Sequence, residues 1–184
     1  MSEQEKQKLI KDIENYIPST ETENHHKIQT LKFLNESNNN FCRSNLKGHI
    51  TSSAWLIDKD KTKALLTHHR KLNKWFQPGG HADGNPDILQ AAIKEAKEES
   101  GFKNVFPVIN SIFDIDVHII PETTTKGEPA HFHYDIRYLL WTSEDKFTVS
   151  KESINLKWID IDEIENFVKF EAIHRMIIKW KKWI

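Results

Sequence analysis

Between Gln77 and Gly101 the chain has few conformational options. Gln77-Pro78-Gly79-Gly80 imposes a turn, because Pro78 lacks a donor N–H and consecutive glycines weaken any regular element. A helix is predicted next, over Asp87 to Ser100. Asp87 stands at its cap, Gln90 at its third position, and Gly101 just past its end, where a left-handed residue stops it. At helical spacing Ile88, Leu89, Ala92, Ile93 and Ala96 form an apolar stripe that must face a core. Glu95 and Glu99 lie one turn apart on the adjoining face, and Glu98 is three residues from Glu95. Carboxylates this close repel one another unless a cation sits between them. Mg²⁺ or Mn²⁺ is the natural candidate, since hard cations prefer several carboxylate oxygens. Read alone, Lys94-Glu95-Ala96-Lys97-Glu98-Glu99-Ser100 also fits a solvated helix face held by Lys–Glu pairs.

The rest of the chain bounds what this segment serves. At 184 residues it is long enough for one domain with a substantial core. Its 26 basic residues against 27 acidic ones leave a net charge of -1. That near-balance disfavours bulk nucleic-acid binding or a polybasic membrane contact. A single cysteine, Cys42, and an N-terminus without an apolar signal core give a cytoplasmic expectation.

Residues 1–45 read as a helical N-terminal extension and 46–184 as the main domain. Ser2 and Glu5 have capping-box spacing, and Leu9, Ile10, Ile13, Tyr16 and Ile17 share one helix face. Pro18 to Thr20 break that helix, a second is predicted across Glu23 to Leu34, and Glu36 to Asn40 reads as a linker. Strands are expected at Ala54–Ile57, Ala64–Thr67, Ile112–Ile120, His131–Trp141 and Ile154–Ile159, with late helices near Ile161–Phe167 and around Ile173, Met176, Ile177 and Trp180. The fold class is therefore mixed α/β with a mixed or antiparallel sheet.

Gly80, Glu95, Ala96, Glu98, Glu99, Gly101 and Phe102 fall at the offsets of the Nudix signature, which the chain thus resembles from about Gly48 onward. Two positions depart from it: Pro86 replaces the signature's first Glu, and Lys94 its Arg. Asp83 and Asp87 flank Pro86 as substitutes. The resemblance implies a Nudix-like α/β/α sandwich and hydrolysis of the diphosphate in a nucleoside diphosphate derivative, dependent on Mg²⁺ or Mn²⁺. It implies Glu95, Glu99, Glu98 and Gly79 as metal ligands, with Glu98 also the candidate general base. The expected partner is that small molecule, with a homodimer left open.

The other candidates are more diffuse. The variant loop Gln77-Pro78-Gly79-Gly80-His81-Ala82-Asp83-Gly84 carries His81, and the basic cluster before it carries Arg70; both are candidate substrate contacts. Glu152 reads as a surface residue, although the family sometimes places an acidic ligand or base in such a loop. Strand alternation puts Asp114, Asp116 and His118 on one face and His131, His133, Asp135 and Arg137 on another. Paired as a hairpin, these seven form one polar surface expected to line the substrate pocket, with Ile120 to Ala130 as a lid. Two other readings stay open: a Nudix-fold module that binds nucleotide without cleaving it, and a zinc or iron enzyme built on His131 and His133, with His118 as a third ligand.

Overall fold

The computed structural model describes residues 3–36, 39–122 and 127–183. Two helices, α1 (Glu3–Asn15) and α2 (Glu21–Glu36), precede the first strand. There follow β1 (Gly48–Ile57), β2 (Lys63–His69), β3 (Lys74–Phe76), β4 (Gly79–His81), α3 (Ile88–Ser100), β5 (Phe106–Pro107), β6 (Asp114–Ile120), β7 (His131–Trp141), β8 (Ser153–Asp160), α4 (Ile164–Phe167) and α5 (Glu171–Trp180). The expected capping residue Ser2 and residues 123–126 of the expected lid lie outside the described residues.

All eight strands join one mixed sheet, and its centre is a parallel pair. Strands β1 and β7 run side by side from Gly48 opposite Phe132 to Ile57 opposite Trp141. A parallel pair at the middle of a sheet is covered on both faces, and every residue of β1 is buried. The alternation along β1 sorts the core into two layers. Ile50, Ala54 and Leu56 pack with Ala92, Ile93 and Ala96 of α3 and with Leu9, Ile10 and Ile13 of α1. Trp55 and Ile57 point the other way, onto Ile173, Met176, Ile177 and Trp180 of α5. The result is a curled sheet between helical layers, as expected. The N-terminal helices share the first of these cores, since Leu34 of α2 is also in it, although Ile17 and Ile28 from the predicted apolar faces are exposed.

Strands β6 and β7 do form the expected antiparallel hairpin, with Asp114 opposite Arg137 and Ile120 opposite His131. Its polar face is not one open surface, which corrects the expectation for four of the seven residues. Asp114, Asp116, Asp135 and Arg137 are 0, 8, 2 and 4% exposed. Helix α2 packs against β6 and brings in Glu23, while α5 brings in Arg175 and Lys179. Arg137 donates to Asp135 at 2.7 Å, to Asp116 at 3.1 Å and to Asp114 at 3.2 Å. Arg175 grips Asp114 with two hydrogen bonds of 2.8 Å, and Lys179 reaches Asp114 at 2.7 Å and also bonds Glu23. The strand pattern reports only that one face is polar. Remote helices decide whether water or an ion-pair network covers it.

This network has a pH signature. Burial alone would raise the Glu23 carboxyl, but Lys179, Tyr16 and the Ser19 N–H hold it down at about 2. Asp116 is likewise buried, and Arg137, His118 and Arg175 hold it well below the usual carboxylate range. Burial raises Asp114 instead, but at Glu23 and Asp116 native values below the unfolded ones mean stabilisation that is complete above the unfolded value and lost as pH falls through the native one. We expect helical circular dichroism to hold at pH 5 and to be lost cooperatively between about 4.5 and 2. An acid titration showing no transition in that window contradicts the pairing.

Candidate active site

The glycine strand β4 lies antiparallel to β1, with Gly79 opposite Ser53 and Gly80 opposite Ser52. Successive residues of a strand face opposite sides, so the two glycines meet different neighbours. A Cβ on Gly80 would lie 2.5 Å from the Glu95 carboxylate, whereas one on Gly79 would lie 2.3 Å from Ser53 Oγ and 2.9 Å from its Cα. Gly80 thus admits a carboxylate against the backbone, and Gly79 admits a neighbouring strand. The two substitutions should separate. Gly80→Ala pushes only the end of a flexible side chain and should cut turnover at least tenfold with a small change in Tm. Gly79→Ala meets backbone and should lower Tm clearly. Equal effects on Tm in a melting experiment would contradict this geometry.

Helix α3 forms where expected. Asp87 caps it by accepting from the Gln90 N–H at 3.1 Å, and Gly101 ends it at φ 76°. The N–H of Gly79 donates to Glu99 Oε1 at 3.1 Å, which ties the strand to the helix. Burial lifts the Glu99 carboxyl to about 7; the Gly79 N–H opposes that rise and the nearby Glu95 charge adds to it. Glu95 is also raised, first by burial and then, against the pull of Lys94, by Glu98. Among the described residues no salt bridge reaches Glu99. A pair of half-buried carboxylates pressed onto a glycine strand, with Lys94 4.0 Å from Glu95, is an oxygen-donor site that fits a hard divalent cation.

Glu98 is placed apart from that pair, exposed at the rim, with Lys94 Nζ at 3.4 Å. Lys94 also comes within 4.0 Å of Glu95, so the lysine at the signature's Arg position still faces two carboxylates as a point charge. The substitutes for the carboxylate missing at Pro86 are engaged elsewhere. Asp87 caps the helix, and Asp83 accepts two hydrogen bonds from Arg43 at 2.6 and 2.7 Å.

Arg70 is tied into the scaffold. Its guanidinium donates to the carbonyls of Lys151 and Ser153, and its N–H to that of Glu152. Those bonds hold the loop bearing Glu152, whose charge acts on both Glu95 and Glu99. Of the remaining candidates, His81, His131 and His133 gather around a histidine that no motif marks, and His118 joins them through His133. His49 is 3% exposed, and its ring centroid lies 5.0, 5.0 and 4.8 Å from those of His81, His131 and His133. Burial first, then neighbouring positive and imidazole groups, holds His81 down at about 4 and His133 at about 2. His49 carries no motif. Only the parallel register that sets it opposite His133 reveals it.

The NUDIX domain model matches residues 47–181. The chain belongs to the Nudix family. It is accordingly a hydrolase of the class that acts on phosphoanhydride bonds. It is similar to a probable DHNTP pyrophosphohydrolase of Lactococcus lactis subsp. cremoris, 28% identical over 149 residues that cover 80% of this chain and 87% of the relative. It is also similar to an asymmetrical bis(5'-nucleosyl)-tetraphosphatase of Caenorhabditis elegans, 26% identical over 65% of this chain and 83% of that one. Among solved structures, a C. elegans Ap4A hydrolase binary complex superposes with a TM-score of 0.55 at 19% identity, over 73% of this chain and 96% of the other. That likeness is one of fold. No helix among the described residues is long and apolar enough to cross a membrane.

Proposed function

We propose that this Nudix chain hydrolyses the diphosphate linkage of a nucleoside diphosphate derivative in the cytoplasm, with Glu95 and Glu99 as the principal holders of Mg²⁺ or Mn²⁺. The observation that carries the reading is the pair of raised carboxylates pressed onto the glycine strand. A divalent cation held there neutralises phosphate charge and makes water a better nucleophile. The residues supply the rest. Gly80 leaves room for the Glu95 carboxylate, the Gly79 N–H orients Glu99, and the Gly79 carbonyl completes the donor set. Glu98, at the open rim, is the group assigned to take the proton from the attacking water. Residues 1–45 serve as an extension of a catalytic domain spanning 46–184, the two sharing one core.

Binding without turnover is the second reading, favoured by Pro86 and by the engagement of both flanking aspartates. A panel of nucleoside triphosphates, nucleotide sugars, DHNTP and dinucleoside polyphosphates, assayed with Mg²⁺ and Mn²⁺, separates the two. Cation-dependent cleavage of at least one compound is expected. Tight nucleotide binding with no cleavage of any compound would move the conclusion to the sensor module.

A further inference from the structure

The histidine cluster is distinct in its chemistry from the carboxylate site. Three adjacent strands each place an imidazole at one level: His49 of β1 opposite His133 of β7, and His133 opposite His118 of β6. His131 follows two residues before His133 on the same face. One ring nitrogen from each of His49, His131 and His133 lies within 4.8 Å of the other two. Nitrogens bound to one tetrahedral ion lie about 3.3 Å apart, given metal–nitrogen bonds of about 2.05 Å. The difference is within the reach of small χ rotations.

Two further observations point to a ligand. Nε2 of His133 is buried without a hydrogen-bond partner, and so are the ring nitrogens of His49 apart from the Asn45 backbone, which acts on that ring. Buried polar atoms are otherwise nearly always satisfied, and an ion is one of the recognised ways to satisfy them. His131 is arranged as metal-binding imidazoles are, with Nδ1 on the Pro129 carbonyl at 2.9 Å and the other ring nitrogen left to bind. His118 Nδ1 lies 3.1 Å from Asp116, at the edge of the group. His81 sets a fourth ring 5.0 Å from those of His49 and His133.

We infer that His49, His131 and His133 form a second metal site, selective for a borderline ion of the Zn²⁺ class and separate from the hard-cation site on α3. Nitrogen donors without a carboxylate among them favour Zn²⁺ over Mg²⁺, which demands oxygen. The donor set has the three-imidazole form that leaves a fourth position for His81, water or a substrate atom.

The test uses the full chain stripped with chelator and titrated with Co²⁺, then Zn²⁺. One Co²⁺ per chain with the intense visible bands of a tetrahedral nitrogen site is expected, displaced by Zn²⁺ and not by excess Mg²⁺. His131→Ala, at a half-exposed strand end, should weaken Zn²⁺ binding at least tenfold, and Glu99→Gln should leave it unchanged. Imidazole nitrogen resonances of the wild-type chain give a readout that needs no variant: those of three histidines should shift with Zn²⁺. No stoichiometric binding overturns the site. So does a spectrum without tetrahedral bands, equal affinity in His131→Ala, or histidine resonances that Zn²⁺ leaves unmoved.

Discussion

Glu99→Gln should lower turnover about a hundredfold or more, because a bound metal ion supplies several kcal/mol of charge stabilisation, and leave the fold intact. Glu99 is half-buried, bonded to the Gly79 N–H and raised to about 7 by its surroundings. The raised value means that the metal-free fold holds this carboxylate charged at a cost. Glutamine keeps the shape and an acceptor for Gly79 while removing the charge that attracts a cation. The variant should therefore melt no lower than wild type in the presence of chelator, yet need far more Mg²⁺ for any residual activity. Glu98→Gln should differ in kind, because Glu98 stands at the exposed rim beside Lys94. Its turnover should fall while the Mg²⁺ concentration for half activity stays near that of wild type. Steady-state kinetics across a Mg²⁺ series decide this. Near-normal turnover in Glu99→Gln removes the carboxylate pair from the site.

The largest stability effect is expected at Arg137, far from the carboxylate helix in sequence. Arg137 is 4% exposed and is shared by Asp114, Asp116 and Asp135. Methionine fills much of its volume but leaves Asp135 with only the hydroxyls of Thr51 and Ser53. Removing one partner from a buried ion pair costs about 3–5 kcal/mol, because a charge is left uncompensated. For a chain of this size that corresponds to a fall in Tm of roughly 10 °C. Arg137→Lys should recover only part, since one ammonium cannot reproduce a fork that spans three carboxylates. Asp135→Asn combined with Arg137→Met should cost less than the sum of the two single changes, the sign of a direct coupling. Additive losses in denaturant unfolding would mean that the pair contributes little.

What was legible in the sequence follows how far apart the deciding residues lie. Helix α3 could be read because its cap, its apolar stripe and its stop are all local, from Asp87 to Gly101. The approach of the Glu95 carboxylate to Gly80 was legible for the same reason, the two residues lying on consecutive elements. The hairpin of β6 and β7 was visible in its alternation, but its covering was not, because Glu23, Arg175 and Lys179 come from both ends of the chain. A polar strand face looks the same in sequence whether it meets water or buried counter-charges. His49 was missed because it joins the other histidines only through the parallel pairing of β1 with β7, and no short-range pattern encodes a parallel partner. Residues 1–45 were read as helical, yet the periodicity could not show that Leu9, Ile13 and Leu34 complete the same core as α3.

The central claim is that the Glu95–Glu99 pair directs water onto the phosphorus of a diphosphate. The most direct measurement is hydrolysis of a cleaved panel compound in isotopically labelled water with Mg²⁺, both products being identified by mass. One labelled oxygen is expected in a phosphate-bearing product of the wild-type chain, with about a hundredfold or more slower appearance of that product in Glu99→Gln. Label in a product's carbon-bound oxygen, or equal rates in the two proteins, would contradict it.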